Sequence, residues 1–176
     1  MKPLFTLQQL NQLPFDAFVA ALEGVFEHSP WVAERTAALR PFHSVEELAA
    51  MMAGEVEKAG YGAQMTLIRA HPELAGKAAI RGELTLESAV EQSGAGLDQC
   101  SPEEFSRLTE LNHAYRSKFG FPFILAVRGY DRSGIIGEFE RRLAAEVEEE
   151  RRECLRQIYR IAGLRLEAML AGSSGA

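Results

Sequence analysis

Apolar residues recur along this chain at helical spacing rather than strand spacing. From Phe15 they fall at Phe18, Val19, Leu22, Val25 and Phe26, the i, i+3, i+4, i+7 stripe of a helix packed on one side, and the pattern stops at His28-Ser29-Pro30. Pro30 opens a short second segment holding Trp31 and Val32. Pro41 closes it, because proline pushes the residue before it out of helical geometry. Ser44 reads as an N-cap, with Glu46 and Glu47 in a first turn where the helix dipole favours anions, and Val45, Leu48, Ala49, Met52 and Val56 form the buried face of that helix. Gly60 and Gly62 flank Tyr61 at the next break.

Residues 64–70 are too few for periodicity to separate helix from strand; the reading adopted is a helical run that His71-Pro72 terminates. Residues 72–84 are loop or irregular helix. Thr85 caps the next helix, on which Ser88, Glu91 and Gln92, related by i, i+3 and i+4, share a face before Gly94 and Gly96 limit it. Ser101-Pro102-Glu103-Glu104 is a start signal, with a Ser cap, Pro at the first helical position and Glu three residues after the cap. Phe105, Leu108, Leu111, Asn112, Tyr115 and Phe119 continue that helix to Gly120, which suits a left-handed cap. Segment 121–127 is extended by composition, and Pro122, lacking a backbone donor, restricts it to an edge or solitary strand.

Asp131-Arg132-Ser133-Gly134 reads as a turn. Ile135, Ile136, Phe139, Leu143 and Val147 mark a further helix, and Leu155, Ile158, Tyr159, Ala162, Leu166 and Met169 the last. The acidic run from Glu146 to Glu150, with Arg151-Arg152 directly after it, is a solvated joint between them or part of one long charged helix. No internal repeat and no βαβ alternation occurs. The expected fold is all-α: a single irregular domain of roughly seven to eight helices over residues 1–170, with a flexible tail at 171–176.

Composition narrows the function. A hydrophobic content of 47% supports a real core, and a net charge of −6 without a Lys/Arg cluster interleaved with aromatics argues against a nucleic-acid partner. An anionic small substrate would need a local cation. Cys100 and Cys154 form no CxxC or Cys/His cluster, so neither a disulfide framework nor a metal site is indicated, and a reducing cytoplasm is the expected location. The first eleven residues lack the apolar core of a secretory signal, and no stretch approaches a membrane span, so no membrane partner is expected. HExxH, Walker, GxGxxG and GxSxG motifs do not occur.

Three stretches carry candidate chemistry. His71 can exchange a proton near neutral pH, and Pro72 stiffens its backbone; a surface or capping histidine is the plain alternative. Ser88, Glu91 and Gln92 offer a hydroxyl, a carboxylate and an amide, complementary to a ureide or purine-like ring, although a solvated helix face would look the same. Phe119-Gly120-Phe121-Pro122-Phe123-Ile124 could bury rings in a turn, present backbone groups beyond Pro122 to a planar ligand, or do both. Arg142, four residues from Glu138 and from Glu146, is first read as a helical ion pair and otherwise as the missing cation.

In combination, His71-Pro72-Glu73-Leu74-Ala75-Gly76-Lys77, Ser88-x-x-Glu91-Gln92, Leu111-Asn112-x-x-Tyr115-x-x-Lys118-Phe119-Gly120-Phe121-Pro122-Phe123 and Arg141-Arg142-Leu143 resemble the OHCU decarboxylase family, acting on 2-oxo-4-hydroxy-4-carboxy-5-ureidoimidazoline in urate degradation. The resemblance spans Phe15 to Leu170 and implies an all-helical, cofactor-independent homodimer that forms (S)-allantoin and carbon dioxide from a small ureide substrate. It implies catalytic roles for His71, Glu91 and Arg142. Pro72, Ser88, Ala89, Val90, Gln92, Phe123, Ile124, Leu125, Ala126 and Val127 match its ligand-contacting positions. One departure stands out: relatives commonly carry Arg-Leu-x-Asn where this chain has Arg142-Leu143-Ala144-Ala145, which leaves the choice between Arg141 and Arg142 to geometry. A non-catalytic helical module, binding a ureide or a protein partner, is the alternative.

Overall fold

The computed structural model describes residues 5–170, so the expected tail at 171–176 lies outside the described residues. Among the described residues ten α-helices occur in order: α1 (Leu7–Gln12), α2 (Phe15–Leu22), α3 (Trp31–Ala37), α4 (Val45–Ala59), α5 (Tyr61–Arg69), α6 (Lys77–Ile80), α7 (Leu86–Gly94), α8 (Pro102–Phe119), α9 (Arg132–Leu143) and α10 (Val147–Met169). Eight of them are seven residues or longer, in agreement with the all-α expectation. Among the described residues the β pairing is a single parallel bridge between Phe5 and Leu170.

The helix ends obey local chemistry. Ser44 accepts from the Glu47 N–H at 3.0 Å, and Thr85 from the Ser88 N–H at 3.2 Å. At α8, Ser101 and Glu104 form a reciprocal capping box behind Pro102, and Gly120 ends the helix with φ +79, a conformation that costs glycine little. α2 stops at Leu22, short of the apolar pattern; Gly24 weakens further helix, and Val25 and Phe26 are buried from the turn instead. Asp131–Gly134 corrects the expectation of a turn, because Asp131 accepts from the Gly134 N–H at 2.7 Å and caps α9. The joint before α10 is residues 144–146. Glu148, Glu149 and Glu150 are that helix's first turn, where its dipole favours them.

The chain divides into two compact units, within the described residues 5–70 with 159–170, and 71–158. In the first, Phe18 stacks on Phe42 with ring centroids 6.4 Å apart, and Asn11 exchanges two 2.8 Å hydrogen bonds with the Phe42 backbone. Buried Arg165 donates to the Gly24 carbonyl at 2.9 Å and to buried Glu27 at 3.0 Å. The second unit is built around Tyr115, which is fully buried among Phe119, Phe121, Phe123 and Phe139 at centroid distances of 4.5, 6.0, 5.4 and 5.8 Å. Edge-on and tilted ring pairs of this kind add stability beyond area burial.

Candidate active site

Every predicted site residue lies in the second unit. His71 comes just after the last turn of α5 and is buried, 7% exposed, at the head of a loop whose backbone is fastened by side chains from two helices. From α7, Gln92 Oε1 accepts the Ala75 N–H at 3.0 Å and Gln92 Nε2 donates to the Glu73 carbonyl at 3.3 Å. From α8, Asn112 Nδ2 donates to the Leu74 carbonyl at 2.9 Å, while Arg116 pairs with the Glu73 carboxylate at 2.8 Å. The fastening matters because Ala75 sits at φ +51, a left-handed conformation unfavourable for a residue with a Cβ. Gly76 is required in the same loop: a Cβ there would lie 2.7 Å from Glu73 Cβ.

On α7, Ser88 and Gln92 are buried, Ala89 and Glu91 are half-buried, and Val90 is 63% exposed. The polar face read from the sequence therefore turns inward. Val90 lies on the opposite, exposed side. Gln92, one of the expected ligand-contacting positions, holds the His71 loop with both ends of its amide.

Residues 121–127 are all buried and form neither helix nor strand. Buried peptide groups need partners, and at Pro122, Ile124 and Ala126 side chains supply them. Arg142 Nη1 donates to the Ile124 carbonyl at 2.5 Å, Gln157 Oε1 accepts the Ala126 N–H at 3.0 Å, and Cys154 Sγ lies 3.9 Å from the Pro122 carbonyl. The segment turns away where the Tyr130 N–H meets the Val127 carbonyl at 3.0 Å, with Gly129 at φ +89. This solitary extended run is what Pro122 foretold. α8 links it to the His71 loop, since Asn112 holds that loop and Tyr115, three residues on, packs against Phe121 and Phe123.

The two arginines differ in burial. Arg141 is exposed and pairs with Glu138 at 2.6 Å, whereas Arg142 is 2% exposed. Neither Glu138 nor Glu146 is Arg142's partner, contrary to the helical-pair reading. It bonds the buried Glu150 at 2.5 Å, approaches Cys154 Sγ at 3.5 Å and lies 4.4 Å over the Phe123 ring. Tyr115 donates to the same Glu150 oxygen at 2.6 Å. Burial pushes the Tyr115 hydroxyl far above its usual range and the Cys154 thiol up to about 11, so both stay protonated near neutral pH. Burial works against the Arg142 charge, but Cys154 and Glu150 outweigh it and the net shift is upward.

Glu150, Gln157 and Cys154 were not singled out as site residues. Their signal was present: Glu150 and Cys154 sit at i and i+4 on the stripe that continues through Leu155 and Ile158, so a carboxylate occupied a core position inside what looked like a solvated run. Among the described residues no group of three or more His, Cys, Asp or Glu side chains could hold a metal ion, and no helix is long and apolar enough to cross a membrane.

A helical scaffold that fastens an imidazole-bearing loop to an inward polar helix face, beside a buried run of backbone, has the make-up of a small-molecule enzyme. Comparison with known proteins agrees with that class. The family pattern described as OHCU decarboxylase matches residues 11–167, and the chain belongs to this family. A 2-oxo-4-hydroxy-4-carboxy-5-ureidoimidazoline decarboxylase of Haloferax volcanii is 44% identical over 161 residues, 92% of this chain and 94% of that protein. The uric acid degradation bifunctional protein PucL of Bacillus subtilis is 41% identical over 163 residues, 93% of this chain but 32% of that longer protein. Among solved structures, an (S)-allantoin synthase superposes with a TM-score of 0.75 at 29% identity, covering 94% of this chain and 54% of that one. An OHCU decarboxylase crystallised in the presence of (S)-allantoin shares the fold, with a TM-score of 0.67 at 18% identity over 89% of this chain and 98% of that one.

Proposed function

We propose that this chain decarboxylates 2-oxo-4-hydroxy-4-carboxy-5-ureidoimidazoline to (S)-allantoin and carbon dioxide in uric acid degradation. The observation that carries the reading is family membership across residues 11–167, with a buried histidine at the expected position on a loop fastened by α7 and α8.

The substrate bears a hydroxyl and a carboxylate on one ring carbon, next to an unsaturated C–N centre. When the bond to the carboxylate breaks, its electron pair can flow into the ring as an enol-like system, so the ring is its own electron sink. The enzyme must hold the carboxylate out of conjugation, take up the hydroxyl proton and deliver a proton to one face of the neighbouring carbon. Only contacts that strengthen as charge enters the ring accelerate the step. In this reading His71 is the acid/base and Glu91 its orienting or proton-sharing partner. Pro72, Ser88 and Ala89, the backbone at Val90 and the peptide groups of Phe123, Ile124, Leu125, Ala126 and Val127 bound the ligand.

Arg142, for which the resemblance implied a catalytic role, takes an indirect part in this reading. Its guanidinium is engaged by Glu150, Ile124 and Cys154, so it acts through the backbone it holds. A cytoplasmic homodimer working without a cofactor completes the reading.

His71→Asn tests it. The variant should fold, with an unchanged circular dichroism spectrum in the far ultraviolet, and lose about 10²- to 10⁴-fold in rate, the usual worth of a positioned acid/base. Full stereoselective turnover by this variant would overturn the assignment. A protein that binds allantoin but never accelerates decarboxylation would favour the binding-module alternative.

A further inference from the structure

The peptide groups of residues 122–126 are held along one edge only. Cys154 Sγ lies 3.9 Å from the Pro122 carbonyl and also receives the Ile124 N–H. Arg142 donates to the Ile124 carbonyl at 2.5 Å, and Gln157 accepts the Ala126 N–H at 3.0 Å. In an extended chain alternate residues aim both peptide groups the same way, so α9 and α10 stand in for a neighbouring strand by means of side chains. Phe123 and Leu125 aim theirs at the opposite edge. Both are buried, at 1% and 4% exposed, and among the described residues their N–H and C=O groups meet no protein partner. Such an edge can pair with a planar molecule that alternates donors and acceptors, as a ureide ring does.

How that edge sits depends on what grips the other one. Gln157 is well placed to grip it, because its own amide is oriented: Nε2 donates to Glu153 Oε1 at 2.9 Å, and Arg156 holds the same glutamate at 2.8 Å. The amide oxygen is thereby turned to Ala126. We propose that Gln157 is a positioning residue, which by fixing the Ala126 N–H sets the placement of the Phe123 and Leu125 peptide edge against the substrate. The inference rests on the decarboxylase reading above and adds to it a residue outside the family motifs quoted for the site.

The test is steady-state kinetics on freshly generated substrate. Gln157→Met keeps the length of the side chain and removes the acceptor. Contacts from a peptide edge to a planar ring exist in ground and transition state alike, so KM should rise about three- to ten-fold with kcat changed less than about two-fold. The swapped pair Glu153→Gln with Gln157→Glu reverses the hydrogen bond between the two side chains but keeps at 157 an oriented acceptor for the Ala126 N–H, and should restore KM. Gln157→Ala gives the same KM rise and serves if methionine is not accommodated. Wild-type activity with an unchanged KM in Gln157→Met or Gln157→Ala, whatever happens to Tm, would overturn the inference and leave the function standing. Racemic product from the wild type would instead refute the decarboxylase reading and this inference with it.

Discussion

Replacing Gln92 with leucine separates the loop-fastening role of that residue from a ligand-contacting one. The substitution removes the acceptor of the Ala75 N–H at 3.0 Å and the donor to the Glu73 carbonyl at 3.3 Å. Ala75 is 6% exposed, so its N–H would be buried without a partner, at a cost of about 1–3 kcal/mol. Its φ of +51 adds a standing tendency to relax once released. A loss of that size raises the population of an opened loop by about 5- to 150-fold. Asn112 still holds the Leu74 carbonyl at 2.9 Å, so the opening should be confined to the residues around Ala75. Amide hydrogen exchange measured by NMR reads this directly: Ala75 should exchange faster by that factor while the Tyr115 amide in α8 is unchanged, and kcat/KM should fall as the His71 loop loosens. Unchanged exchange at Ala75, or equal acceleration throughout α8, would refute the reasoning.

The buried cluster behind the site gives two further expected outcomes. Arg142→Met or Glu150→Leu alone strands a charged partner and should cost about 3–5 kcal/mol in urea denaturation, while the double variant should cost several kcal/mol less than the sum; additivity would show that the pair is not coupled. Cys154, its thiol pushed up to about 11 by burial, should resist thiol reagents at pH 8 in the folded protein, whereas half-buried Cys100 reacts. The sign of the linked pH effect is fixed by that shift. The folded state keeps a proton that the unfolded chain gives up from about pH 9, so this contribution to stability is intact below pH 9 and is lost as pH rises toward 11. Two thiols reacting at one rate would contradict the burial.

Elements announced by caps were legible in the sequence, because a cap is a local bargain between one side chain and one backbone donor: Ser44, Thr85, Ser101 and Gly120 all behave as their residue types dictate. Asp131 was misread because Asp and Gly three residues apart suit a turn and a helix start equally; the apolar spacing of Ile135 and Phe139 beyond the glycine decides for the helix. Pairing across the fold was not legible. Whether Arg142 meets Glu138, Glu146 or Glu150 depends on how α9 and α10 pack, and helical spacing favoured the two wrong partners. Gln92 and Asn112 were read as ligand wall and helix stripe, and their hold on the His71 loop is a tertiary fact with no local signature. The shared face of Ser88 and Gln92 and the solitary run at 121–127 were visible in spacing and in Pro122, whereas the inward turn of that face was not, and Glu150, which bonds the arginine that serves the run, lay in what looked like a solvated acidic stretch.

The central claim is that this chain directs decarboxylation and protonates one face of the ring. Circular dichroism of allantoin formed from freshly generated 2-oxo-4-hydroxy-4-carboxy-5-ureidoimidazoline tests it most directly, since the uncatalysed route gives racemate. The account predicts rapid appearance of the (S)-enantiomer in excess with the wild-type protein, and racemic allantoin formed at the spontaneous rate would contradict it.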